Sequence, residues 1–146
     1  MSIQRATLTE LDSVAGLFDL YRLFYKQESN IEDAKAFLKE RMMKEESVIF
    51  IASDDENNAV GFVQLYPSFS SVSMRRSWLL NDLYVAESAR KKGYAEKLIN
   101  QVIRFAEETG AKGISLETGK ENSNAQKLYE KIGFIQESNY FYYYSI

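Results

Sequence analysis

The spacing of apolar residues predicts two helices in the first third of the chain. Between residues 10 and 25, large apolar side chains recur at steps of three and four, the period of an amphipathic helix: Leu11, Val14, Leu17, Phe18 and Tyr21. Thr9 is the predicted N-cap of this helix. Asn30 is the predicted N-cap of a second helix over residues 31–46, in which acids come first and bases follow, as the helix dipole favours. A short strand over residues 2–6 is expected before both helices.

From residue 47 the pattern changes to that of strands. Three segments, 47–53, 58–66 and 73–85, are rich in β-branched and aromatic residues. The polar stretches DDENN and PSFSS separate them. Because antiparallel neighbours can be joined by short connections, we expect these segments to form a three-stranded antiparallel meander.

The rest of the chain alternates between helix and strand. One apolar stripe from Ala95 to Ala106 predicts a helix that ends at Gly110. The elements expected after it are a strand over 113–118, a short helix over 122–132 stopped by Gly133, and two last strands over 134–138 and 140–146. This order, β-α-α-β-β-β-α-β-α-β-β, predicts a single α/β domain over residues 1–146 with a mixed, mostly antiparallel sheet.

Composition removes several kinds of chemistry. The chain has 146 residues, which fits one domain, and contains neither cysteine nor histidine. Disulfides, thiolate metal sites, a cysteine nucleophile and Ser–His machinery are therefore excluded. The carboxylates show no metal-binding spacing, and a net charge of -3 argues against a nucleic-acid partner. No signal peptide or membrane span is visible, so we expect a cytoplasmic protein.

A basic turn stands out in this acidic chain. Arg90, Lys91 and Lys92 are followed by Gly93 at the predicted start of a helix, directly after a strand. The first amides of a helix lack intrahelical partners and carry the positive end of the dipole, so they can hold a phosphate. Gly93 would let the phosphate approach, and Ala95 keeps the next turn small. The alternative is a solvated basic turn with no ligand.

Two motifs together resemble the GCN5-related N-acetyltransferase superfamily. Residues 90–95 read R-K-K-G-Y-A, similar to the superfamily's (Q/R)-x-x-G-x-(G/A) motif, and residues 122–129 read N-S-N-A-Q-K-L-Y before Gly133-Phe134. The resemblance implies a single-domain fold with about four helices and a splayed pair of strands in the sheet. It also implies acetyl-coenzyme A as cofactor.

The resemblance assigns cofactor-binding roles to particular positions. The backbone of Leu83, Tyr84 and Val85 would pair with the pantetheine arm like an added strand. Asn122 would contact the same arm, or would simply cap the helix that follows it. The pyrophosphate would be held by the loop and helix start formed by Arg90, Lys91, Lys92, Gly93, Tyr94 and Ala95.

The resemblance also points to two catalytic residues. Tyr129 matches the usual general acid near the cofactor sulfur, although a hydrogen bond that stabilises the thiolate is physically easier than full proton transfer. The alternative for Tyr129 is a core aromatic. Asp82 is the candidate base, or else it satisfies backbone groups at a bulge, and Glu117 is the reserve candidate. Acidic pairs occupy this place in the polyamine branch, but here Asn81 replaces the first acid.

We therefore expect an acetyl-coenzyme A-dependent N-acetyltransferase. A primary amine (a small amine, a polyamine, or a lysine or N-terminal amine) would attack the thioester directly in a ternary complex. The alternative is a catalytically inactive acyl-coenzyme A-binding sensor or partner module. Tyr21, Tyr25, Tyr66 and Phe69 are candidate acceptor-pocket residues. The aromatic C-terminus is expected at a paired or covered sheet edge, which suggests a homodimer.

Overall fold

A computed structural model describes all residues from 1 to 146 and contains one sheet with helices on both faces. Strands β1 to β5 are ordered by sequence; the first four are antiparallel, and β5 is parallel to β4. The elements are β1 (Ser2–Arg5), α1 (Leu11–Phe24), α2 (Ile31–Met43), β2 (Val48–Ser53), β3 (Ala59–Ser70), β4 (Arg75–Val85), α3 (Tyr94–Glu108), β5 (Ile114–Ser115) and α4 (Ser123–Ile132). This confirms the predicted α/β class, the mixed sheet and the four helices.

Alternation along the strands divides the core between the two faces of the sheet. Ile49, Ile51 and Phe62 face α1 and α2, whereas neighbouring residues such as Phe50 and Val63 face α3. Successive side chains of a strand point to opposite faces, so two-sided burial requires a nearly continuous apolar run. Strand β2 has such a run, and this is why its sequence lacks polar residues until Ser53.

The start of α1 differs from the prediction. Thr7, and not Thr9, is the capping residue: its hydroxyl accepts from the Thr9 amide at 3.2 Å, and Glu10 closes a capping box. A 3₁₀ turn, Leu8–Glu10, then leads into the helix. Asn30 caps α2 as predicted, by accepting from the Asp33 amide at 3.0 Å.

Strand β3 continues through the stretch that was expected to be a turn. Pro67 is paired in register with Trp78, and the strand ends only at Ser70. Proline is tolerated there because β2 pairs no further than Val48 with Leu65, so Pro67 has no neighbouring strand on that side. The predicted boundary at Pro67 is therefore wrong.

The two last predicted strands do not form. No helix or strand follows Ile132, and the Phe134 amide, which donates to the Tyr129 carbonyl at 2.9 Å, makes the last backbone hydrogen bond. In the aromatic tail, residues 140–146, the large apolar side chains are 79–113% exposed. The expectation of a paired or covered edge is thus wrong for this chain alone. High β-propensity does not make a strand without a partner.

Strands β4 and β5 separate soon after they pair. Their register joins Trp78 to Ile114 and Leu79 to Ser115 and goes no further, while β4 continues to Val85. A bulge lies at the same level, because Gln64 pairs with Asp82 but Leu65 pairs with Leu80. The predicted splayed pair is therefore present. None of the helices has the length and hydrophobicity needed to cross a membrane.

Candidate functional site

An open cavity of about 320 Å³ occupies the gap between β4 and the segment after β5. Its walls come from α1, β4, the start of α3, the residues after β5, and α4. The sequence-predicted residues that line it are Tyr21, Tyr25, Leu83, Tyr84, Val85, Arg90, Ala95, Glu117, Asn122 and Tyr129. Of the candidates in the two motifs, Arg90, Ala95, Asn122 and Tyr129 therefore meet at one cavity, whereas Lys91, Lys92, Gly93 and Tyr94 do not line it. Asp82, Tyr66 and Phe69 do not line it, and Phe69 is 70% exposed.

The start of α3 is open to an anion. Gly93 caps the helix with a left-handed backbone (φ 88°) and no side-chain hydrogen bond, and the space where a Cβ would stand is empty to 4 Å. Free amides in the first turn and an unobstructed approach are what phosphate binding at a helix N-terminus needs. Tyr94 is buried in the core, so only its backbone belongs to this opening.

Arg90 lines the cavity and is exposed to solvent. Its Nε donates a hydrogen bond to the Val85 carbonyl at 3.0 Å, and its guanidinium stands 5.7 Å from the Tyr84 ring and 5.9 Å from the Phe24 ring. Lys91 and Lys92 are exposed and take part in no ion pair. The three basic residues of the motif are therefore not equivalent.

Helix α4 closes one side of the cavity. Asn122 caps it, with its side-chain oxygen accepting from the Ala125 amide at 3.4 Å, and Asn122 also lines the cavity. A 3.2 Å ion pair from Lys131 to Glu96 joins α4 to the first turn of α3. Asn122 therefore both caps α4 and lines the cavity.

Tyr129 faces the cavity and is also part of the packing. It is half-buried against the core beneath α3, and its ring lies 5.9 Å from that of Phe134. Burial, and secondarily the neighbouring Tyr25, raises the pKa of the Tyr129 hydroxyl. The hydroxyl therefore stays protonated through the neutral range and can donate a hydrogen bond into the cavity.

Asp82 lies behind the cavity wall in a cluster of neutral polar groups. The carboxylate is 5% exposed and accepts from Gln64 Nε2 at 2.7 Å and from Asn81 Nδ2 at 3.2 Å. Burial, and next the charge of Asp82, raise the pKa of the Tyr21 hydroxyl. No lysine or arginine forms an ion pair with Asp82.

Sequence reasoning missed three contributors to this region. Gln64 is fully buried and holds Asp82 across the β3–β4 pair, Asn81 holds it from the bulge, and Phe24 forms part of the cavity wall. Gln64 leaves a detectable signal, since it is one polar residue in the apolar segment VGFVQLY. Phe24 leaves none, because the helical period alone does not distinguish it from Tyr25.

The chain belongs to the acetyltransferase (GNAT) family, which it matches over residues 14–134. It is 42% identical over 143 residues to the uncharacterised N-acetyltransferase YhfO of Bacillus subtilis, covering 98% of this chain and 95% of that protein. A probable acetyltransferase of Haemophilus influenzae is 34% identical, with 92% and 90% covered. The crystal structure of a probable acetyltransferase superposes with a TM-score of 0.94 at 45% identity, covering 100% and 99%. The predicted superfamily and the predicted enzyme class are confirmed.

Acetyl-coenzyme A is the cofactor of this family, in agreement with the prediction. The residues present fit it on two observations: the start of α3, which has no side-chain cap and has open space at Gly93, and the cavity lined by both Ala95 and Tyr129. Arg90, Lys91 and Lys92 supply positive charge near the same opening. Residues Leu83 to Val85 lie where β4 has no β5 neighbour, and Arg90 Nε donates to the Val85 carbonyl on this stretch.

Proposed function

We propose that the chain transfers an acetyl group to a primary amine by direct attack in a ternary complex. The observation that carries this proposal is one cavity that combines an anion-ready helix start, a protonated tyrosine and an aromatic wall on α1. The similar Bacillus and Haemophilus proteins bear acetyltransferase names and give no acceptor. A covalent acyl-enzyme on cysteine is excluded because the chain has none.

Bound acetyl-coenzyme A would supply the activated acetyl thioester. The start of α3 with Arg90, Lys91 and Lys92 would hold the phosphates, and Leu83, Tyr84, Val85 and Asn122 would align the arm. We assign to Tyr129 a hydrogen bond from its hydroxyl to the leaving sulfur. A reference thiol has a pKa of about 8.5 and a tyrosine about 10. Because burial raises the pKa of Tyr129 further, donation without full proton transfer is the easier role.

We assign the removal of the amine proton to Asp82, with Glu117 in reserve. A lysine-type amine has a pKa of about 10.4, so at neutral pH the acceptor arrives as a cation and must lose a proton before it attacks. A buried carboxylate with no basic partner favours a cationic ligand nearby. The aromatic rings of Tyr21, Phe24 and Tyr25 add faces that attract cations.

We further propose that the chain forms a homodimer through its C-terminal tail. The exposed aromatic side chains of residues 140–144 are the support for this, because a run of exposed apolar side chains favours association. The cytoplasmic location inferred from the sequence stays a prediction.

The deciding experiment is thiol release from acetyl-coenzyme A with a panel of amines, using wild type and Tyr129→Phe. The variant keeps the ring and its contact with Phe134, so melting and cofactor binding should be unchanged. Without the hydroxyl, kcat should fall by about 10²–10⁴, the range for one positioned acid–base group. The KM for acetyl-coenzyme A should hardly move, because the hydrogen bond strengthens only as the thioester breaks.

Two results would contradict these assignments. Wild type that binds acetyl-coenzyme A but acetylates no amine would favour the inactive sensor or partner module. A folded Tyr129→Phe variant that turns over within threefold of wild type would reduce Tyr129 to a packing residue.

A further inference from the structure

Asn81 is the residue that the bulge between β3 and β4 leaves without a partner. Consecutive residues of β3 pair with Leu80 and with Asp82, so Asn81, between them, has no opposite residue. Leu80 and Asp82 are 4% and 5% exposed, whereas Asn81 is exposed and lines the cavity. A bulge re-aims a side chain out of the regular alternation of a strand. The side chain of Asn81 is thereby brought to the cavity while its two neighbours remain in the core.

Hydrogen bonds to Asp82 fix how the Asn81 amide is turned. Asn81 Nδ2 lies 3.2 Å from both carboxylate oxygens of Asp82, and Gln64 Nε2 donates to the same carboxylate at 2.7 Å from the other strand. A carboxylate only accepts hydrogen bonds, so the amide must face Asp82 with its nitrogen. The side-chain oxygen of Asn81 is therefore turned away from Asp82 and accepts no hydrogen bond within the chain.

Asn81 lies at the end of the cavity that is remote from the basic turn. Val85 also lines the cavity, and its carbonyl accepts from Arg90 Nε. Asn81 comes four residues before Val85 on β4. At about 3.3 Å per residue of a strand, the two positions are about 13 Å apart. Leu80 and Leu83, the nearest β4 residues that line the cavity, are apolar. With phosphates held at the start of α3, as proposed above, the acceptor belongs to the Asn81 end.

We propose that Asn81 is an acceptor-binding residue, whose side-chain oxygen accepts a hydrogen bond from the nitrogen of the primary amine. Asp82 is the positioning residue that holds the amide so that this oxygen stays free. The inference rests on the proposed amine acetylation, but not on the choice between Asp82 and Glu117 as the base. It names the group that selects an acceptor nitrogen carrying hydrogens.

This contact would hold the acceptor through the change of charge that the reaction requires. A lysine-type amine has a pKa of about 10.4, so it arrives as a cation and attacks as a neutral amine. An amide oxygen accepts hydrogen bonds from both forms. A carboxylate at the same position would favour the cation and oppose the loss of its proton. Asn81 therefore places the acceptor without adding a second negative charge beside Asp82.

The test compares two ligands that differ in their N–H groups. The first is the primary amine of the panel that wild type turns over fastest. The second is its trimethylammonium analogue, which keeps the positive charge but has no N–H. Each is titrated calorimetrically into protein saturated with coenzyme A. Asn81→Ala should bind the primary amine about 10–100-fold more weakly than wild type, because a hydrogen bond to a charged group is lost. Its affinity for the analogue should change less than about threefold.

The variant Asp82→Asn tests the positioning role. An amide at position 82 can donate as well as accept, so the Asn81 amide is no longer held in one orientation. The variant should weaken binding of the primary amine in the wild-type background, and should weaken it less when Asn81→Ala is already present. Full additivity of the two losses would overturn the positioning role of Asp82.

The matched control is Asn124→Ala, which removes an amide that lines the same cavity from α4 and makes no hydrogen bond to Asp82. Its affinity for the primary amine should equal that of wild type. Equal losses for the amine and its analogue in Asn81→Ala, or no loss for either, would overturn the inference and leave amine acetylation in place. If Asn81→Ala does not fold, Asn81→Asp decides instead, since weaker binding of the primary amine with an oxygen retained overturns it equally. Wild type inactive on every amine would overturn the proposed function and the inference with it.

Discussion

Gly93 gives the site its access to a phosphate because it has no side chain. Its positive φ is a conformation that other residues rarely adopt, and the space above it is empty. Gly93→Val should therefore strain the helix start and also cover the open amides. We expect affinity for coenzyme A, measured by isothermal titration, to fall at least about tenfold, which corresponds to about 1.4 kcal/mol.

A second glycine provides the matched control for this prediction. Gly110, at the other end of α3, also has a positive φ (68°) and empty space at its Cβ position. Gly110→Val carries the same kind of backbone strain far from the helix start, so it should lower the melting temperature comparably and leave cofactor affinity unchanged. Equal affinities in the two variants would remove the phosphate role of Gly93.

The site residues that could be predicted are those fixed by local sequence. Gly93, Asn122 and Tyr129 stand in motifs whose spacing is set by a loop and a helix, so their positions follow from the chain itself. The partners of Asp82 could not be predicted in this way. Gln64 reaches it through the register of β3 against β4, with a bulge in between. The effect of the Asp82 charge on the pKa of Tyr21 depends on how α1 packs on the sheet, which no local pattern encodes.

Helices α1 and α2 are joined by a buried carboxylate. Asp19 is 4% exposed and accepts from the Ser29 hydroxyl at 2.6 Å and from the Asn30 amide at 2.7 Å. Since Asn30 also caps α2, Asp19 fixes where that helix begins. Asp19→Ala would leave these donors without their acceptor, and we expect a loss of about 1–3 kcal/mol in the free energy of unfolding by urea denaturation. Ser29→Ala, which removes one donor, should cost less.

The contribution of Asp19 should also depend on pH. The Ser29 hydroxyl and the Asn30 amide hold the pKa of Asp19 below its ordinary value of 3.8, against the effect of burial. A lowered folded-state pKa means that the stabilisation is complete above the unfolded value and is lost as the pH falls through the folded one. The difference in stability between wild type and Asp19→Asn should therefore be constant near pH 7 and shrink below about pH 4. An unchanged difference in acid would contradict this origin.

The elements that were predicted well are those that have a clear hydrophobic period and a neighbouring element to pair or pack against. The apolar stripe of α3 has the period of a helix, and the continuous apolar run of β2 fits a strand that is buried on both faces. The last two strands failed for the opposite reason. Residues 134–146 have strand-like composition, but strand formation requires an edge to pair with, and composition does not reveal whether one is available. The prediction of where β3 ends was wrong for a related reason. Proline is excluded only from strands with neighbours on both sides, and at Pro67 strand β3 has a neighbour on one side only.

The exposed tail makes a prediction about the assembled protein. The aromatic side chains of residues 140–144 bury about 150–250 Å² each when covered. Two tails can therefore reach the roughly 1,200–2,000 Å² of a specific dimer. Light scattering should give a dimer for the full chain and a monomer after truncation at residue 138. The variant Tyr142→Ser/Tyr144→Ser, which keeps the chain length, should shift the equilibrium towards the monomer.

Truncation should leave the fold intact, because the tail forms no element of the sheet. The melting temperature of the truncated chain at low concentration is the control. A full chain that remains monomeric at all accessible concentrations would contradict the proposed dimer, and a truncated chain that remains dimeric would place the interface elsewhere.

The distribution of aromatic residues gives the chain two separate optical signals. Trp78 is the single tryptophan; it is 4% exposed in the sheet and donates to the Thr109 hydroxyl at 3.0 Å. Four of the ten tyrosines, in contrast, lie in the exposed tail: Tyr140, Tyr142, Tyr143 and Tyr144. Tryptophan emission therefore follows unfolding of the core. Tyrosine absorbance, which changes when tyrosines leave water, reports burial of the tail. Unfolding of the core and burial of the tail can therefore be timed independently in unlabelled protein.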